Sequence, residues 1–150
     1  MNGLIAFDSD VLIYAAVPGH PLGSRVTTLF PHDPDTPAGV GSLLLLPEVL
    51  TKPMRADPDS EETLVLLSLL SRVDLRPMDL PVARLGLDLG VAYGLHAADA
   101  VHLATAVIAG ADWFLTNNRR DFPRTIEEID VIYPQEIQDG SHGRRSMPRG

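Results

Sequence analysis

The sequence predicts an α/β fold in which a parallel sheet of about five short strands is covered by helices on both faces. Two observations carry this. Short apolar runs alternate with stretches of helical pattern along the chain, the order in which βα units build a parallel sheet. The chain also has 150 residues, 45% of them apolar, enough for the core of one domain. No internal repeat or second domain is visible. Residues 1–138 read as the domain, and DGSHGRRSMPRG (139–150) reads as a disordered tail rich in Gly, Ser and Arg.

The elements follow in order. Leu4–Phe7 is an apolar run closed by Asp8, a buried strand. Asp10–Val17 reads as a helix stopped by Pro18-Gly19, and Pro21–Phe30 as a second one. PHDPDTPAG (31–39) is turn-forming loop, and Val40–Ser42 is a short strand. Leu43–Thr51 reads as a helix with Glu48 embedded and Pro47 near its start; PMRADPDS (53–60) then reads as loop. Asp59 with Glu62 three residues on forms a capping-box pattern for a helix to Arg72. Val73–Pro77 is a strand. Asp79 caps Leu80–Tyr93, with Pro81 in the first turn and Gly94 as the stop. Ala97–Ala109 is a helix ended by Gly110, Trp113–Thr116 a strand, 117–124 a loop and Val131–Tyr133 the last strand.

Composition narrows the function. There are no cysteines, which excludes disulfides and thiolate metal sites and fits a reducing compartment. The N-terminus lacks a basic segment, and Asp8 interrupts its apolar run, so a secretory signal is not expected. The apolar stretches LLLLPEVL and LVLLSLL are far shorter than the ~20 residues of a membrane helix. The expectation is a cytoplasmic protein without a membrane segment. The net charge is −8. That argues against a nucleic-acid partner unless some acids hold cations, and it suits a basic protein partner.

Ligands of open α/β sheets bind beyond the carboxyl ends of the strands. Asp8 closes the first strand and Asp10 follows it; Glu48 sits on the helix after the second strand. Asp99 lies in the first turn of its helix, and Asp121 follows the Trp113–Thr116 strand. Crowded carboxylates repel one another, and a hard cation relieves this. Mg²⁺ or Mn²⁺ takes oxygen ligands and keeps waters, leaving room for phosphate oxygens. The chemistry suggested is metal-assisted phosphodiester hydrolysis. Each acid also has a plainer reading. Asp8, Asp10 and Asp99 suit helix starts. Asp112 suits a strand entry, and Asp57, Asp59, Glu61, Glu62, Glu127 and Glu128 suit caps and solvated surface. Glu48, set between Leu43–Leu46 and Val49–Leu50, should face the core or a site.

Three segments carry a family resemblance. FDSDVLIYA (7–15) resembles the opening strand and helix of PIN domains, and SLLLLPEVL (42–50) their second acidic motif. AADAVHLATAVIAGADWFLTNNRRDF (97–122) is similar to their third and fourth motifs in order. The resemblance spans residues 4–133. It implies a three-layer α/β/α sandwich and Mg²⁺- or Mn²⁺-dependent RNA cleavage, as in the VapC-like toxins of toxin–antitoxin pairs. It implies Asp8, Glu48 and Asp99 as metal-binding and catalytic acids. Many members carry Asp where this chain has Asn118, so Asp121 is the expected substitute at the fourth position. Thr116, Asn118, Arg119 and Arg120 are the expected substrate-binding residues, with Ser9 orienting Asp8. His102, one turn after Asp99, reads as a structural histidine. A cognate antitoxin and a homodimer are the implied partners.

Two other readings compete. A PIN-like scaffold without activity is kept open by Asn118. A haloacid-dehalogenase-like phosphatase is suggested by Asp8-Ser9-Asp10 and FLTNN, but it needs a lysine after that strand, and Lys52 is the only lysine.

Overall fold

The structure is a computed structural model that describes residues 3–138. The tail expected at 139–150 lies outside the described residues. The strands are β1 (Ile5–Phe7), β2 (Gly39–Ser42), β3 (Val73–Arg76), β4 (Trp113–Leu115) and β5 (Asp130–Ile132). The helices are α1 (Ser9–Ala15), α2 (Pro21–Thr27), α3 (Leu45–Ala56), α4 (Glu61–Ser71), α5 (Leu80–Tyr93) and α6 (Ala97–Ile108), and a 3₁₀ turn follows at Pro134–Glu136. All pairings are parallel, in the order β3-β2-β1-β4-β5. The fold class read from the sequence is the one observed.

Alternation along the strands divides the core in two. Ile5, Phe7, Trp113, Leu115 and Ile132 point to one face and pack with Val11 and Leu12 of α1, Val26 of α2, Leu45 and Val49 of α3, and Leu66 and Leu70 of α4. Ala6, Val40, Phe114 and Val131 point to the other and pack with Val82 and Leu89 of α5 and Leu103 and Ala104 of α6. The sheet is thus the middle of three layers. No single helix among the described residues is long and apolar enough to cross a membrane.

Several helix boundaries differ from the expectation: α1 ends at Ala15 and α2 at Thr27, short of Val17 and Phe30, and α3 and α4 differ more instructively. α3 does not stop at Thr51 but runs through Pro53 to Ala56. Proline loses its own amide bond, yet the turn closes beyond it: the Asp57 amide donates to the Pro53 carbonyl at 2.9 Å. The cap of α4 is Ser60, not Asp59. The Ser60 hydroxyl accepts from the Thr63 amide at 3.1 Å, while the Asp59 amide is turned back onto Asp57 Oδ1 at 2.9 Å. A serine with extended backbone, φ −64° and ψ 155°, meets the geometry a cap needs. At α5 the expected devices are both present. Asp79 Oδ1 accepts from the Val82 amide at 3.0 Å, and Gly94 ends the helix at φ 66°, where a side chain would be strained.

The chain runs outward from β1 to β2 and β3, then returns to the other side of β1 as β4 and β5. The switch point of the sheet therefore lies between the carboxyl ends of β1 and β4. Asp8 follows one of these ends and Thr116 the other.

Candidate active site

Asp8 is the N-cap of α1 and is buried, with 4% of its surface exposed. Its Oδ1 accepts from the Ser9 amide at 2.8 Å, and its Oδ2 accepts from the Thr116 hydroxyl at 2.8 Å. The Thr116 oxygen in turn accepts from the Asn118 amide at 3.0 Å. One threonine at the end of β4 thus orients the acid and fixes the start of the following loop. Asp8 thus caps α1 with one oxygen while the other reaches across to the end of β4.

The loop after β4 is a small hydrogen-bonded turn. Asn118 Nδ2 donates to Asp121 Oδ2 at 2.9 Å, and Asn118 Oδ1 accepts from the Asp121 amide at 3.2 Å. Asn118 therefore holds Asp121. Asp10, in the first turn of α1, anchors the same loop: its Oδ2 accepts from the Asn117 amide at 3.0 Å. Its other oxygen is buried with no hydrogen-bond partner. Asp99, half-buried in the first turn of α6, is close enough to Asp8, Asp121 and Glu48 to feel their charge. Glu48 projects from the first turn of α3 and bonds His102 Nε2, a residue 54 positions away on α6. The structure therefore gathers Asp8, Glu48, Asp99 and Asp121 at one edge of the sheet.

Arg119 is drawn aside. Its guanidinium lies 4.1 Å from the Tyr133 ring centre, and its Nη2 donates to Gln135 at 2.8 Å. Arg120 is exposed and makes no hydrogen bond or ion pair among the described residues. Asp112 accepts from the Leu4 amide at 2.7 Å, the strand-entry role expected of it. The sequence reading placed Asp10 at this edge of the sheet, two residues after Asp8, but did not count it among the site residues.

The carboxyl groups are electrostatically frustrated. Burial pushes Asp8 above the ordinary carboxylate range, against the pull of His102 and of its hydrogen bonds. Burial, then the Asp8 charge, raises Asp10 to about 7. Burial, then Asp8 and Asp121, raises Asp99. Burial pulls His102 down, but its bond to Glu48 and the charges of Asp8, Glu48 and Asp99 outweigh this and hold it above its ordinary value. These environments disfavour the ionised acids, and a divalent cation reverses that penalty.

The residues present fit such an ion. The donors are hard carboxylate oxygens, and beside them Asp10 Oδ1 is buried with no hydrogen-bond partner among the described residues. Among the described residues no three ligand-type groups already converge tightly on one point. Mg²⁺ suits that looseness, since it binds through one or two carboxylates and keeps its remaining waters.

A stability prediction follows from the raised acids. A group whose folded pKa exceeds its unfolded value stabilises at low pH and loses that contribution as pH rises through the folded value. Asp10 should lose it between its ordinary value of 3.8 and about 7. Asp8 and Asp99 act with the same sign. In chelator the melting temperature should fall as pH rises across this window. Asp10→Asn should flatten the slope; an equal slope in that variant would remove Asp10 as its source.

The PIN domain family model matches residues 5–128. The chain belongs to the PIN domain family. Solved structures resemble this PIN domain over most of its length. A toxin–antitoxin complex from Klebsiella pneumoniae superposes with a TM-score of 0.68 at 23% identity, covering 87% of this chain and 97% of that one. VapBC2 from Rickettsia felis, bound to a DNA fragment from its promoter, superposes with a TM-score of 0.67 at 16% identity, covering 87% and 98%. No curated protein matches the sequence. At these identities the superpositions show the fold alone. The phosphatase alternative finds no support in either the family model or the superpositions.

Proposed function

We propose that this PIN domain is a metal-dependent endoribonuclease and the toxin of a VapBC-type pair. The observation that carries the reading is the meeting of Asp8, Glu48, Asp99 and Asp121 at the switch point of the sheet, with Asp8 and Asp99 both pushed above their ordinary range. Asp8, Asp99 and Glu48 are the residues to hold Mg²⁺ or Mn²⁺. Such an ion, when bound, supplies a Lewis acid for the phosphate and lowers the pKa of its water. The chain itself does the positioning. Thr116 fixes the Asp8 carboxylate, Asn118 fixes Asp121, and Asp10 holds the amide of Asn117 so that the loop stays closed on the site. Asn118, Arg119 and Arg120 line the path for the RNA backbone, with Arg120 the freest of the three to meet a phosphate, whereas Thr116, expected from the sequence to bind substrate, is fully buried with its hydroxyl committed to Asp8 and the Asn118 amide and serves by positioning. Leaving Tyr133 and Gln135 is the condition for Arg119 to do so.

The two superposed structures are a toxin–antitoxin complex and VapBC2 bound to promoter DNA. The same arrangement here calls for an antitoxin. Its basic side chain would neutralise the acid cluster in place of a cation and exclude substrate. A homodimer and a place in the cytoplasm, where RNA is available, complete the reading. Expression of the chain alone should arrest growth, and co-expression with the product of an adjacent reading frame should relieve it. Harmless expression with intact cellular RNA would remove the toxin role.

A further inference from the structure

Glu48 stands apart from the other acids in how it is held. Asp8 is fixed by the Ser9 amide and the Thr116 hydroxyl, and Asp121 by Asn118. Glu48 projects from the exposed side of α3, with 34% of its side chain accessible, and its one side-chain hydrogen bond among the described residues is to His102. A glutamate side chain has among the largest rotamer freedoms of any residue, so it does not stay aimed without a partner.

His102 is an unusual choice for its own position. It is 2% exposed, between the Ala100 and Leu103–Ala104 stretch that packs α6 on the sheet. Its Nδ1 is buried and without a partner. Leaving a polar atom so costs free energy that a leucine of similar size would not incur. Among the described residues the ring's only hydrogen bond is from Nε2 to Glu48 Oε1. That contact spans from the helix carrying Asp99 to the helix carrying Glu48. Glu48, so held, adds its charge to both Asp8 and Asp99.

We propose that His102 is a positioning residue, whose Nε2–H holds the Glu48 carboxylate toward Asp8 and Asp99 so that the three act as one cation-binding set. The proposal rests on the metal-dependent reading above. It makes the packing cost at His102 intelligible: the helix accepts an unpartnered Nδ1 in order to fix an acid that α3 cannot fix itself. Hydrogen-bonded partners of metal ligands typically matter about 10- to 100-fold in metal affinity.

The test is Mn²⁺ binding by titration calorimetry, without RNA, on the wild type and four variants. His102→Leu keeps the volume and removes the donor. His102→Gln places an amide N–H near the position of Nε2. The others are Glu48→Gln and the double variant Glu48→Gln/His102→Leu. His102→Leu should bind Mn²⁺ about tenfold more weakly or worse, His102→Gln should recover most of that loss, and the double variant should be no weaker than Glu48→Gln. If Glu48→Gln weakens binding while His102→Leu does not, the positioning role is overturned and the site reading stands. If neither variant changes binding, Glu48 is no ligand and both fall. If losses in the double variant simply add, His102 acts through packing and the proposal fails. Should His102→Leu not fold, His102→Gln and His102→Asn decide it: the shorter Asn amide does not reach Glu48, so His102→Asn should bind Mn²⁺ more weakly than His102→Gln, and equal affinity in His102→Asn and His102→Gln would contradict the proposal.

Discussion

Asp99→Asn should lower RNA cleavage by about 10³-fold or more while the protein stays folded. Charge stabilisation by a bound ion is worth several kcal/mol in the transition state, and each ~1.4 kcal/mol is tenfold in rate. Asp99 is the cleanest acid to remove. It is half-buried at a helix start, with its charge opposed by Asp8, Asp121 and Glu48. Asp8→Asn should be equally inactive but less stable. Asp8 Oδ2 accepts from the Thr116 hydroxyl, and that oxygen already accepts from the Asn118 amide. An asparagine here must turn its NH₂ either toward the Ser9 amide, donor against donor, or toward the Thr116 hydroxyl, whose proton then loses its acceptor in a buried place. Single-turnover cleavage beside a melting curve separates the two effects. Wild-type cleavage by folded Asp99→Asn would contradict the assignment.

The second large effect is on stability, and its sign depends on the ion. Two like charges ~4 Å apart cost roughly 1 kcal/mol in water and about 4 kcal/mol at an effective dielectric of 20. Removing one of the repelling acids should therefore raise the melting temperature of Asp99→Asn above wild type in chelator. A cation that binds only the folded state adds stability once its concentration passes its dissociation constant. Mn²⁺ should raise the wild-type melting temperature, and Asp99→Asn should lose most of that gain. Four melting curves at equal ionic strength decide it. A variant less stable than wild type in chelator, with an undiminished response to Mn²⁺, would make Asp99 a helix-start residue only.

The architecture was legible because its signals are local. Alternating apolar runs fix strands, and the Asp79 cap and Gly94 stop fix α5. Where the reading slipped, a non-local or finely geometric preference decided. Thr51 looked like the end of α3 because Pro53 forbids one bond, but the neighbouring turns carry the helix past it. Asp59 and Ser60 are both good caps, and only backbone geometry chose the serine. The acids were legible by their position after strands. Their holders were not. That Thr116 serves Asp8, that Asp10 serves the Asn117 amide and that His102 reaches Glu48 are contacts across 108, 107 and 54 residues, and no periodicity encodes them. Asn118 departs from the family's fourth acid, yet it holds Asp121 in two hydrogen bonds. The departure thus supplies a holder for the acid three residues on.

We expect these gathered acids to cleave RNA with a bound divalent cation. The most direct measurement is incubation of the purified wild type with a long RNA in Mn²⁺, in chelator, and in chelator followed by excess Mn²⁺, with Asp99→Asn alongside. The account predicts discrete fragments in Mn²⁺, none in chelator, recovery on adding the ion back, and none at any stage for Asp99→Asn. Fragments that persist in chelator, or that Asp99→Asn produces at the wild-type rate, would contradict it.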